Sequence, residues 1–171
     1  MNHLAAFAVV VLLSLGWSLA GAQQTSEQPV CSHDVQSLFA KALRHALVEA
    51  KDLPDFSLVH QSNSVYILDY LWGNDCIVNK NVLPASSEAD YVLVSRNDLI
   101  DLASQLQTDI AYIRGGEANL SEERASISLG AAIELAPGEQ RGLLCCCGGS
   151  IEFVRLNGLW EFRQWGPIYC A

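Results

Sequence analysis

The chain has 171 residues, a formal net charge of -9 and six cysteines. An acidic balance of this size argues against nucleic acid and anionic membranes as electrostatic partners. The length suits one domain once a leader segment is set aside.

Residues 4–19 form an apolar run, and Ala20-Gly21-Ala22 carries the small-residue pattern of a signal-peptidase site. The run is short for a membrane span, which needs about 20 residues, so no span is expected. The reading is a cleaved signal peptide over 1–22, a mobile leader over 23–31 and a single α+β domain over 32–171, secreted or periplasmic. Every cysteine lies in the exported part, where an oxidising compartment makes disulfides the first reading. The candidates are Cys31, Cys76, Cys145, Cys146, Cys147 and Cys170, and spacing does not choose among the pairings. Adjacent cysteines on a strand point to opposite faces, and no C-x-x-C is present, so no metal and no cofactor are expected.

A helix opens at a Ser32 or Asp34 cap. Its stripe is Val35, Leu38, Phe39, Ala42, Leu43, Ala46, Leu47 and Ala50, and Pro54 stops it. Residues 56–60 and 64–72 read as two strands joined by a Gln61-Ser62-Asn63 turn. Residues 77–90 read as a connection with at most a short strand, and 91–94 as a short strand. Ser95 and Asp98 resemble a capping box, opening a second helix with Leu99, Leu102, Ala103 and Leu106 on one side. A strand starts at 110–113. Residues 125–136 alternate, with Ile127, Leu129, Ala131, Ile133 and Leu135 inward.

The chain closes on a hairpin. Asn157-Gly158 suits a type I′ turn, which needs φ > 0 at both central residues. Continued as a straight ladder, that register pairs Arg155 with Trp160, Phe153 with Phe162 and Glu152 with Arg163, and sets Cys145 opposite Cys170. Ile151, Phe153, Trp160 and Phe162 share the expected core face. Pro167, which lacks a backbone donor, would face Gly148-Gly149 and calls for a bulge. A one-residue slip offers Cys146 instead. Cys170 is therefore expected to bond one member of the triplet, with the partner left open. The fold class that follows is α+β: a curved antiparallel sheet packed against a long N-terminal helix, a second short helix and a C-terminal β-hairpin.

Several stretches carry a resemblance: Leu53-Pro54-Asp55, Val65-Tyr66-Ile67-Leu68-Asp69, Val82-Leu83-Pro84, the run from Val92 through Ser95 to Leu99, Gly148-Gly149 and Asn157-Gly158-Leu159-Trp160. Together they resemble an uncharacterised family of secreted bacterial proteins. The element order is similar to the NTF2-like, or cystatin-like, α+β cone. That likeness implies a helix laid in the curve of a bent sheet, and it fixes no activity.

Two side chains could carry a proton in a cone pocket: His60, beside Phe56 and Leu58, and Asp69, inside an apolar strand. Trp72, Trp160, Trp165 and Tyr169 could form a binding wall. A thiolate of the cysteine triplet could serve redox chemistry. With no catalytic triad, metal set or phosphate loop in view, the expectation is a non-catalytic binding or interaction domain. Its partner is an unknown protein or small-molecule ligand. The alternative is a small-molecule enzyme, isomerase- or dehydratase-like, using Asp69 or His60.

Overall fold

The computed structural model describes residues 28–60, 63–138 and 146–170. The expected signal peptide and Cys145 lie outside the described residues. The elements in chain order are α1 (His33–Arg44), α2 (Phe56–Val59), β1 (Ser64–Leu71), β2 (Cys76–Ile77), β3 (Asp90–Val94), α3 (Arg96–Leu106), β4 (Ile110–Leu120), β5 (Arg124–Glu134), β6 (Cys147–Leu156) and β7 (Leu159–Cys170). The fold is α+β, with seven strands in one sheet among the described residues.

Ser32 caps α1 by accepting from the Val35 N–H, and the helix continues into a π turn, His45–Glu49. The stripe residues Val35 to Leu47 are buried, whereas Ala50, past the π turn, is exposed. The residues expected as a first strand form α2 instead. Asp55, at φ 59, turns the chain into this short helix. A five-residue stretch with three apolar residues is compatible with either state, and the turn decides it. Asp55 also accepts from the Cys147 N–H at 2.6 Å, tying this corner to the start of β6.

The expected antiparallel sheet is mixed. β1 pairs in parallel with both β3 and β4, and only β2 runs antiparallel to it. From β4 through β7 each neighbour is antiparallel. Parallel strands need a crossover. Here α3 supplies the one between β3 and β4, opened by the expected capping box: Ser95 and Asp98 exchange both bonds.

α1 and α3 cover opposite faces. α1 lies on the face built by Val65, Ile67, Ile113, Ile127, Leu129, Ile151 and Phe153. α3 covers Leu68, Ile110, Tyr112 and Ala132 through Leu99 and Ala103. That second cluster ends partway along the sheet, and the rest of the face, across β4 to β7, carries Ser126, Ser128, Ser150 and Glu152.

The leader's last residues are attached. Cys31 donates to the Ile77 carbonyl at 2.8 Å, Ile77 to that of Pro29 at 2.9 Å, and Cys31 is bonded to Cys76.

The hairpin keeps the expected register from Leu156↔Leu159 to Phe153↔Phe162, with Arg155 over Trp160 at 5.4 Å. It then shifts twice. Glu152 faces Gln164 rather than Arg163, and beyond Ile151↔Trp165 the next pair is Gly149↔Ile168. Each shift places one extra residue on β7, so Cys170 meets Cys147, with which it is disulfide-bonded. The bond from Cys170 to the triplet is present, but with neither partner the straight or once-slipped ladder offered. Cys146 is itself disulfide-bonded. Phe162 is the other departure: it is 38% exposed and stacks on His45 at 3.6 Å instead of entering the core. Bulges, Pro167 and the charges of Glu161 and Arg163 all discourage a further strand from adding to β7, which is an edge.

Candidate functional site

The register places four residues in one row across four strands: Arg114 on β4, Gly130 on β5, Gly148 on β6 and Tyr169 on β7. Tyr112 and Ala132, two positions back, share their face and lie under α3. The row therefore falls just beyond α3, on the uncovered face. Its two central residues have no side chains; Tyr169 reaches over Gly148, and a trough remains over Gly130. Its volume is about 230 Å³, lined by Trp72, Arg114, Gly116, Ser128, Gly130 and Tyr169, among others.

The floor cannot easily be filled. A Cβ on Gly148 would stand 3.0 Å from the Leu129 carbonyl oxygen and 3.2 Å from the Tyr169 hydroxyl. A Cβ on Gly130 would stand 3.0 Å from the Gly148 Cα. Two exposed aromatic residues flank this floor, Trp72 at 51% and Tyr169 at 52%. Arg114 is exposed and has no ion pair among the described residues.

Each aromatic wall is held by its neighbours in sequence. Tyr169 precedes Cys170, whose disulfide to Cys147 closes the end of the β6–β7 ladder. Trp72 donates to the Gly115 carbonyl and packs edge-on against Tyr70, with ring centroids 5.4 Å apart. The turn after it is tied to β4 by Asn74. The Asn74 Oδ1 accepts from the Ala118 N–H at 2.7 Å, and its Nδ2 donates to the Ala118 carbonyl at 3.2 Å. This amide serves as a strand partner where β4 bulges, between Gly115 and Ala118. Asn74→Ala strips both bonds from a nearly buried backbone unit. It is expected to lower stability by about 1–3 kcal/mol, measured by urea unfolding, and to change the Trp72 emission; an unchanged midpoint would contradict this role.

Asp69 lies one residue past Leu68, which pairs with Val94, and so comes beside Ser95 at the mouth of α3. It lines a second groove of about 400 Å³ with Tyr70, Trp72, Arg96 and Asn97. Burial raises its carboxyl above the ordinary value, and the Asp98 charge raises it further.

His60 is elsewhere, stacked on Phe56 at 4.1 Å and edge-on to Tyr91. The charges acting on it are Glu88 and Lys51, not Asp69. The fold thus does not bring the two proton-carrier candidates into one site. Burial lowers the His60 imidazole below its ordinary 6.5, partly opposed by Glu88. The unfolded chain therefore binds this proton more readily than the folded one. The stability contributed by neutral His60 is complete above pH 6.5 and falls as pH drops through the window below it. His60→Gln is expected to flatten that acid limb in urea-unfolding midpoints; an equally steep limb would assign it to other groups.

Of the four aromatics singled out in the sequence, Trp160 is buried and Trp165 packs on the main core. Only Trp72 and Tyr169 form a wall. Arg114 and Gly130 were not recognisable beforehand, and Gly148 stood out only as half of a glycine pair, because their alignment depends on the pairing of four strands. Among the described residues no group of His, Cys, Asp or Glu could hold a metal ion, and no helix is long and apolar enough to cross a membrane. No family model matches the chain, and no curated protein or solved structure matches it.

Proposed function

We propose that this protein is an exported, non-catalytic binding domain whose ligand seats in the trough between Trp72 and Tyr169. One observation carries the reading: two half-exposed aromatic side chains, from β7 and from the turn after β1, flank a floor lined by Gly116 and Gly130. Exposed aromatics bordering a concave surface are the usual equipment of a recognition site. Two disulfides anchor the segments that bear them, which suits an oxidising compartment. The resemblance to secreted bacterial proteins and the apolar N-terminal run agree with export.

The test is an amide-shift map of the labelled protein against low-molecular-mass fractions of conditioned growth medium. Shifts should concentrate at Trp72, Gly116, Gly130 and Tyr169. A map centred on any other surface overturns the reading.

A second reading keeps one specific observation. Asp69, with its raised carboxyl, lines a groove that shares Trp72 with the trough. A carboxyl of that kind can carry a proton to or from a small molecule. Asp69→Asn would abolish turnover in that case, while leaving the trough's amide-shift map intact.

A further inference from the structure

Given a ligand in the trough, we propose that it is a monocarboxylate built on a single planar ring. The inference rests on the reading above and deepens it, from the chemistry of the walls and floor.

The volume comes first. At about 230 Å³ the trough is smaller than the roughly 300–1,000 Å³ typical of pockets for drug-sized molecules. One ring with a short substituent is the occupant it suits. The floor comes second. Its β5 backbone groups are engaged in the β4–β5–β6 ladder, Gly116 falls in the β4 bulge, and Ser128 supplies a hydroxyl. A saccharide of the same size would bring a hydroxyl on nearly every carbon and leave most of them without partners, at a cost for each. An aromatic ring has no such need. It can lie on the glycine floor with its faces and edges toward Trp72 and Tyr169, where ring pairs contribute beyond their buried area.

The charge comes third. Arg114 stands at the β4 end of the glycine row, opposite Tyr169, and has no ion pair among the described residues. A guanidinium presents parallel N–H donors that match the two oxygens of a carboxylate. The protein's net charge of -9 opposes anions, and more strongly the higher their charge. One arginine in a negative field favours a monoanion over a phosphate dianion. A ring with its carboxylate at Arg114 and its body toward the aromatic walls meets all three conditions.

The experiment uses the oxidised protein and two isosteric probes, 4-fluorobenzoate and 4-fluorobenzamide, followed by ligand-detected fluorine NMR. The acid is expected to bind at least fivefold more tightly than the amide. Arg114→Gln should reduce that preference to near parity while leaving amide binding within twofold. Trp72→Ala and Tyr169→Ala should each weaken both probes at least fivefold; Trp72→Leu and Tyr169→Leu serve if an alanine variant does not fold. Equal binding of acid and amide, or a preference that survives Arg114→Gln, overturns the carboxylate assignment and leaves the trough as a binding site. Binding of neither probe overturns the ring class, and the amide-shift map of the trough then decides the broader reading separately. Binding that ignores both aromatic replacements overturns the trough itself.

Discussion

Phe39→Ala is expected to lower stability by about 3–5 kcal/mol, the range for deleting a large buried aromatic side chain. Phe39 is 0% exposed and sits on the inner stripe of α1, against the sheet. The effect reaches the site because of what the ring rests on. A Cβ added at Gly115 would clash with the Leu71 Cδ2 and stand 2.8 Å from the Phe39 Cε2. The glycine is therefore the socket for Phe39 and Leu71, one residue from Arg114 and from the trough-lining Gly116. Removing the ring leaves a void against the strand that carries Arg114. Urea unfolding measures the first effect, and amide shifts at residues 114–116 measure the second. Gly115→Ala alone should destabilise by overpacking. Combined with Phe39→Ala it should cost less than the sum of the two, since Leu71, which stands closest to the methyl, can then shift into vacated space. Strict additivity would show that the two residues do not share that space.

Removing the Cys31–Cys76 disulfide, as Cys31→Ser with Cys76→Ser, is expected to cost about 4 kcal/mol, and removing Cys147–Cys170 about 3 kcal/mol. The order follows loop length, since the cysteines are separated by 45 residues in the first case and 23 in the second. A longer closed loop removes more freedom from the unfolded chain. The two losses should differ in their functional echo. The first loosens the connection that follows Trp72 and leaves residue 31 held to β2 by backbone bonds alone; the second frees the strand end that bears Tyr169. Both differences should vanish when wild type and variants are compared under full reduction. Thermal unfolding with and without reductant, read alongside probe binding, checks this. A wild-type melting temperature unmoved by reductant would show that the bridges do not stabilise the fold.

The parts of the fold that sequence disclosed were those set by neighbours along the chain. Asn157-Gly158 announced the hairpin because a type I′ turn restricts its central residues. Ser95 and Asp98 announced α3 because a capping box is a local exchange of bonds. The apolar stripe of α1 followed from its period. What stayed hidden depended on distant pairings. The alternation of Val65, Ile67 and Ile113 is compatible with either strand direction, so the parallel pairing of β1 with β4 was invisible and an antiparallel sheet was expected. The run at 56–59 was too short for periodicity to separate helix from strand. Cys147 became the partner of Cys170 through two register shifts, where Pro167 had suggested a single bulge.

The candidate site divides in the same way. Exposed aromatics could be suspected one at a time, and Trp72 and Tyr169 were. Arg114, Gly130 and Gly148 acquire meaning only as a row, and that row is set by the local pairing of β4, β5, β6 and β7, register shifts included. His60 and Asp69 each sit where burial perturbs a titratable group, yet no local pattern in the sequence says whether two such residues meet.

The two extra residues on β7 give this strand a reserve of length. A one-codon deletion at Arg163 would remove a bulge and still leave Cys170 against Cys147. The closing staple is thus buffered against the loss of one residue from its outer strand, and the wall built by Tyr169 inherits that mutational robustness.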